Sequence, residues 1–198
     1  LKYDPEGVAE VSRKFFSTLS NTYNFFAMYA NVDGFTGDEP QVPLAERPEL
    51  DRWILSLLNT LSATVEDALD DYEPTRAARA ISEFVLDKLS NWYVRLNRKR
   101  FWSRGLDADK LAAYQTLRSC LLTVSQLMAP VAPFFSDRLF RDLTDSTGAA
   151  KSVHLSDFPK VDASAVDKDL EERMDVAQRL TSLVLSLRKK ANLKVRQP

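Results

Sequence analysis

"PTRAARAISEFVLDKLSNWYVRLNRKRFW", residues 74–102, decides how this chain folds. Pro74 suits a first helical turn, and Ala77, Ile81, Phe84, Val85, Leu89, Trp92 and Leu96 then recur three and four apart, as one face of an α-helix requires. The segment closes on different chemistry. Arg95, Arg98, Lys99 and Arg100 gather among Trp92, Tyr93, Phe101 and Trp102, with no acid between residues 89 and 102. At about 100° per residue, Lys99 falls in phase with Ile81, and Phe101 falls opposite it. The spacing therefore predicts a front half, Leu89 to Leu96, that serves a core, and a back half from Asn97 that does not. Either the helix ends near Asn97 or its last turns project beyond the core.

Helical periodicity extends outward in both directions. Upstream, residues 6–29 place Val8, Val11, Phe15, Leu19, Thr22 and Phe26 on one face, and "NVDGFTGDEPQVPLAERP" breaks the pattern as a loop. Residues 48–71 carry Leu50, Trp53, Ile54, Leu57, Leu58, Leu61, Val65 and Leu69. Downstream, Asp107 can cap a helix bearing Leu111, Tyr114, Leu117, Leu121, Val124 and Met128. Pro130 and Pro133 break it before "FFSDRLFRDL". The stretch "DSTGAAKSVHLSDFPKVDAS" reads as turns, with at most a short extended piece near 152–155. A last helix over about 167–190 uses Leu170, Met174, Ala177, Leu180, Val184 and Leu187. Five or six long amphipathic helices need one another to cover their stripes, so the expected fold is all-α, an antiparallel helical bundle. Residues 1–150 are expected to form the bundle, and 151–198 a linker and C-terminal helix packing on it or leaving it.

Bulk composition agrees with an ordinary globular domain. The apolar share is 44% and the charged share 28%, and only five glycines are present, which favours helices over a turn-rich β fold. A net charge of −1 excludes a globally basic nucleic-acid coat but leaves room for a local patch. The single cysteine, Cys120, lies in an apolar run and reads as a buried thiol. With no signal peptide and no apolar run near ~18 residues, the expected compartment is the cytoplasm, without membrane association. The chain begins "LKYDPEG", without methionine, and is expected to be part of something longer.

Few side chains here could carry catalysis. His154 is the only histidine, and with one distant cysteine it cannot assemble a zinc site or a familiar nucleophile–base pair. No glycine-rich phosphate loop is present. The acids Glu66, Asp67, Asp70, Asp71 and Glu73 lie mostly off the Leu61, Val65, Leu69 stripe and read as a solvated face. Catalytic, cofactor-binding and metal-binding residues are therefore all expected to be none.

The cation–aromatic stretch admits two readings. Arg and Lys stems can simply lie along apolar surface with their heads in water. Alternatively the cations engage phosphates while aromatic rings and guanidinium planes stack on bases splayed from an RNA loop. A second cationic group, Arg188, Lys189, Lys190, Lys194 and Arg196, also complements a helix dipole and is weaker support.

Several segments together resemble the C-terminal region of class I aminoacyl-tRNA synthetases, isoleucyl branch, in the bacterial form similar to the eukaryotic cytoplasmic type. They are "RKFFSTLSNTYNFFAMYANVDGF" (13–35), "ERPELDRWILSLLNTL" (46–61), "YEPTRAARAISEFVLDKLSNWYVRLNRKRFW" (72–102), "LLTVSQLMAPVAPFFSDRLFRDL" (121–143), "SVHLSDFP" (152–159) and "LVLSLRKKANLKVRQP" (183–198). "LMAPVAPF" marks only the wider group that includes valyl, leucyl and methionyl enzymes. "SNWYVRLNRKRFW" together with "SVHLSDFP" and "KVRQP" marks the isoleucyl branch.

The resemblance implies an anticodon-binding helical domain that grips a tRNA stem-loop, within an ATP-dependent ligase that joins isoleucine to its tRNA. The catalytic and editing domains of that parent chain would be its other partners, and they would hold ATP, with zinc a second candidate. Their signature motifs are absent here, so this stretch is expected to be monomeric and to bind tRNA without catalysing the ligation. Asn91, Trp92, Arg95, Arg98, Lys99, Arg100 and Trp102 are the expected tRNA-binding residues, with Arg52, Lys88 and Arg104 as poorer candidates. Trp92 shares its phase with Ile81 and Val85 and fits the core better than a contact. A structural connector, or the equivalent domain of a valyl or leucyl enzyme, are the competing readings. Cations 95–100 paired to acids inside the bundle would favour the connector.

Overall fold

The computed structural model describes residues 4–144 and 151–194. Among them it contains six long helices and no strand, so the chain is all-helical. Helix α1 covers 5–33, passing through π-helical turns at Ser12–Phe16. Helix α2 is Glu49–Asp70 and α3 covers 74–102. Helices α4, α5 and α6 are Ala108–Met128, Pro133–Thr144 and Lys168–Lys190. The chain divides into two compact units, Leu1–Val166 and Asp167–Pro198.

Local signals set most boundaries. The Asp4 carboxylate accepts the Glu6 N–H at 3.1 Å to open α1. Gly34 closes α1 with φ 71, a left-handed cap that a side chain would resist. Pro74 occupies the first turn of α3, where its missing N–H is no loss. Asp107 caps α4 through the Lys110 N–H at 2.8 Å. Helix α4 stops at Met128, just before Pro130, and α5 restarts at Pro133.

Within the first unit, α4 is the central helix, packing against α1, α2, α3 and α5. It buries Tyr114, Leu117, Cys120, Leu121, Val124 and Leu127 completely or nearly so. Helix α2 lays Trp53, Ile54, Leu58, Leu61 and Val65 against α3 and α4, burying all of them. Burial pushes the Cys120 thiol well up, as expected for an inert buried thiol. The acids Glu66, Asp67, Asp70, Asp71 and Glu73 are all exposed.

The structure departs from the expected pattern in three places. Val8 and Val11 remain exposed although they share the α1 stripe; only from Phe15 onward does that stripe meet the bundle. The segment expected as a short extended piece is a 3-10 turn, Val153–Leu155. Asp137 of α5 holds it there by accepting both the Ser152 hydroxyl at 2.6 Å and the Val153 N–H at 3.0 Å. Third, α3 does not end near Asn97: it continues to Trp102. Two other 3-10 turns are Leu44–Glu46, just before α2, and Ala163–Ala165, which lies against α2. Residues 145–150 of the turn-rich stretch, and Arg196, lie outside the described residues.

The second unit is α6 with its caps. The Asp167 carboxylate accepts the Leu170 N–H at 2.9 Å. At the other end Asn192 takes a left-handed φ of 54, and the Leu193 N–H returns to the Arg188 carbonyl at 2.9 Å. Arg188, Lys189 and Lys190 occupy the last turn, where they complement the helix dipole.

Candidate nucleic-acid interface

The middle of α3, Phe84–Val94, is π-helical over 11 residues. A π-helix closes its hydrogen bonds from i to i+5 and takes more residues per turn than an α-helix. The buried face of α3 consequently carries a row that advances every fourth residue, Ala77, Ile81, Val85, Leu89, Tyr93, Asn97 and Phe101, flanked by the buried Phe84 and Val94. On an ideal α-helix, positions 77 and 101 would stand about 120° apart. The underwound turns absorb that drift. This corrects the expected phase: Lys99 is exposed, while Phe101 is 1% exposed, wedged between Phe25 and Tyr114 with ring centroids 5.1 Å from each. Trp92 is half-buried and Leu96 exposed, so neither continues the core face; Tyr93 and Asn97 do. The division of 89–102 into a core half and an outer half at Asn97 is replaced by inner and outer faces running the whole length.

On the outer face, Asn91, Arg95, Arg98, Lys99 and Trp102 are exposed, with Trp102 57% accessible. Asn91, Arg95 and Lys99 follow the same four-residue step and line up along the helix. Among the described residues, no carboxylate is within ion-pair reach of Arg95, Arg98, Lys99 or Arg104. Arg104 is exposed; Arg52 and Lys88 are half-buried.

Arg100 behaves differently. Its Nη1 donates to Asp51 Oδ1 at 2.7 Å and to Asn97 Oδ1 at 3.0 Å. Its Nη2 donates to Asp51 Oδ2 at 2.9 Å and to the Asp109 carbonyl at 2.6 Å, and its Nε to Asp109 Oδ2 at 3.0 Å. Those bonds use every N–H of a guanidinium. Asp51 is wholly buried and also accepts the Tyr93 hydroxyl at 2.8 Å. Burial disfavours the Arg100 charge, but the Asp51 hydrogen bonds and charge outweigh it and hold the guanidinium protonated. Burial, followed by the Asp51 charge, pushes the Tyr93 hydroxyl far above its ordinary range.

A second buried pair lies close by. Lys110, 1% exposed, meets the Asp33 carboxylate and donates to the Ser103 carbonyl at 2.7 Å. Tyr114 donates its hydroxyl to the same Asp33 carboxylate. Arg47, also buried, donates to the Val42 carbonyl at 3.0 Å and to the Thr116 hydroxyl at 2.9 Å, fixing the loop before α2.

These pairs define the topology of the site. Asp51 opens α2 and meets the end of α3; Asp33 ends α1 and meets the start of α4. Helices consecutive along the chain are therefore antiparallel, and the end of α1, the start of α2, the end of α3 and the start of α4 converge at one end of the bundle. Sequence reasoning missed Asp51, Asp33, Lys110 and Tyr93. An acid or lysine in phase with an apolar stripe, as Asp51 is with Ile54 and Leu58 and Lys110 with Tyr114 and Leu117, was the available signal, because such a residue is rarely fully buried unless paired.

Helices tied at one end by buried ion pairs, with unpaired cations and an exposed indole above them, form a platform of the kind that suits an RNA loop. The family described as the anticodon-binding domain of tRNA ligase matches residues 51–198, and the chain belongs to that family. Its relatives are isoleucine--tRNA ligases. The one from Porphyromonas gingivalis is 63% identical over 198 residues, covering 100% of this chain and 17% of the relative. Those from Dehalococcoides mccartyi and Clostridium tetani are 48% and 45% identical over 199 residues, each covering 100% of this chain and 19% of the relative. The chain thus spans under a fifth of the length of the curated relatives it matches.

Proposed function

We propose that this chain is the anticodon stem-loop-binding part of an isoleucine–tRNA ligase, a parent that uses ATP to join isoleucine to its tRNA. The observation that carries the reading is the outer face of α3: Arg95, Arg98 and Lys99, unpaired and exposed, beside the exposed indole of Trp102. Cations there neutralise phosphates, and the ring offers a stacking surface for an unpaired base. Asn91 extends the same face with an amide that can address base edges. Trp92 is half-buried beside it, and Arg100 supports it from beneath. Isoleucine is favoured over valine or leucine as the amino acid because relatives named for isoleucine reach 63% identity across the whole chain.

In this reading residues 1–150 provide the stem-loop platform, and 151–198 serve as linker and C-terminal helix toward the rest of the parent. The catalytic and editing domains would hold ATP, and zinc where a site for it exists. The cytoplasm, where tRNA charging feeds translation, is the proposed compartment. The connector reading draws on Arg100, whose acid partners lie inside the bundle; the other three cations of the group have none among the described residues.

Binding of the chain to isoleucine tRNA, measured at two salt concentrations, tests this function. The R95A/R98A/K99A variant should lose about tenfold or more in affinity, and its salt slope should flatten by about one per lost phosphate contact. Unchanged affinity and slope would assign the face to the connector role.

A further inference from the structure

Arg100 sits in the middle of the cationic stretch, yet every one of its donors is held by an atom of α2, α3 or α4. It has nothing left for a phosphate unless it abandons Asp51. We propose that Arg100 and Asp51 form a positioning pair for RNA binding, which fastens the end of α3 so that Arg95, Lys99 and Trp102 are presented together without either member touching the ligand. The proposal rests on the stem-loop reading above.

The end of α3 needs such a fastening. In its last eight residues only Asn97 and Phe101 are buried, and the final turn of a helix has carbonyls without intrahelical partners. One aromatic ring resists translation of the helix but allows it to roll. The Arg100 fork removes that freedom because it is planar and bonded on several sides: to both oxygens of Asp51 on α2, to the side chain and carbonyl of Asp109 on α4, and to Asn97 within α3. Asn97 in turn donates to the Tyr93 carbonyl at 2.9 Å, and Tyr93 donates to Asp51, which closes a ring of bonds. Beyond the helix end, Lys110 holds the Ser103 carbonyl, so the turn after Trp102 is tied as well.

Stability alone is a poor account of this arrangement. A buried ion pair gains little over well-packed apolar residues, because desolvation offsets most of its attraction. What it delivers is a single geometry, and a face already ordered before binding avoids the entropy cost of ordering on contact. A positioning role and a direct phosphate contact also predict opposite outcomes for one substitution. A phosphate contact needs only charge, which lysine keeps; the fork needs a planar guanidinium, which lysine lacks.

The test compares R100K, R100A and D51N in this chain, reading affinity for isoleucine tRNA and its salt slope at a temperature where circular dichroism shows each variant folded. Positioning predicts that R100K falls about as far as R100A, on the order of tenfold, and that D51N also weakens binding. Bulk electrostatics predicts the reverse for D51N, since removing an acid beside a cationic face should tighten binding. R100K binding like the unsubstituted chain while R100A falls, or D51N binding more tightly, overturns the proposal. If D51N does not fold, D109N replaces it: Asp109 is half-exposed, with 53% side-chain accessibility, and its loss should weaken binding about two- to threefold. R95A/R98A/K99A runs in parallel. If that variant binds normally the stem-loop reading fails; if it falls while R100K and D51N do not, only the positioning role fails.

Discussion

Asp33 shows how a single side chain is made to hold two helices. Burial alone would raise its pKa, but the Lys110 ammonium and the Tyr114 hydroxyl both bond its charged form and bring it below the ordinary aspartate value. A carboxyl with a lowered native pKa contributes stability that is present above about pH 4 and is lost as pH falls through the native value. D33N should therefore melt at a lower temperature than the unsubstituted chain at pH 7, and the gap should shrink progressively below about pH 4. Thermal unfolding followed at pH 7, 5 and 3 checks this, and a gap that stayed constant with pH would mean that the pair is not what Asp33 contributes. Tyr114 belongs to the same arrangement: burial and then the Asp33 carboxylate push its hydroxyl well above ten, so it stays a donor across the whole range.

At the scale of the element, the underwound segment of α3 decides which residues point outward. Without it, α-helical phasing would turn Lys99 toward the core and Phe101 toward solvent. The difference can be measured on neighbouring aromatics. Phe101→Ala should cost about 3–5 kcal/mol in urea unfolding, the usual range for a buried phenylalanine. Trp102→Ala should cost less than about 1 kcal/mol, since the indole is mostly in water. A reversed order would show that α3 keeps α-helical phase to its end. The π-helical geometry could not be anticipated from the residues, because a reading of periodicity assumes one period and asks only which residues share a face. The strict four-residue recurrence of Ala77, Ile81, Val85, Leu89, Tyr93, Asn97 and Phe101 was in the sequence. Tyr93 and Asn97 hid it, being polar enough to pass for surface. Trp92 and Leu96 then offered a more apolar stripe that turned out to be the wrong one.

Across the whole molecule the net charge is only −1, and acids and cations occur at both ends of the bundle. Arg95, Arg98, Lys99 and Arg104 stand toward one end of the bundle, and the run Glu66, Asp67, Asp70, Asp71 and Glu73 lies at the far end of α2. From Asp51 to Asp70 is about 28 Å at 1.5 Å per residue, several times the ~8 Å screening length at physiological salt. Neutralising Glu66, Asp67, Asp70 and Asp71 together should therefore leave tRNA affinity within about twofold at 0.15 M salt. A large gain in affinity would mean that the acids lie nearer the RNA path than the antiparallel arrangement allows. The sequence by itself determined that five or six long helices are present, most of their boundaries, the all-helical class and the region that carries the cations, because periodicity, prolines and caps are local properties of the chain. Only the tertiary structure decided which cations are free. Arg95, Arg98, Lys99 and Arg100 look alike in a string of letters, but Asp51 lies 49 residues from Arg100 along the chain. Antiparallel packing of α2 on α3 brings the two together, and that contact, absent from any local pattern, separates the cation that holds the platform from those that face outward.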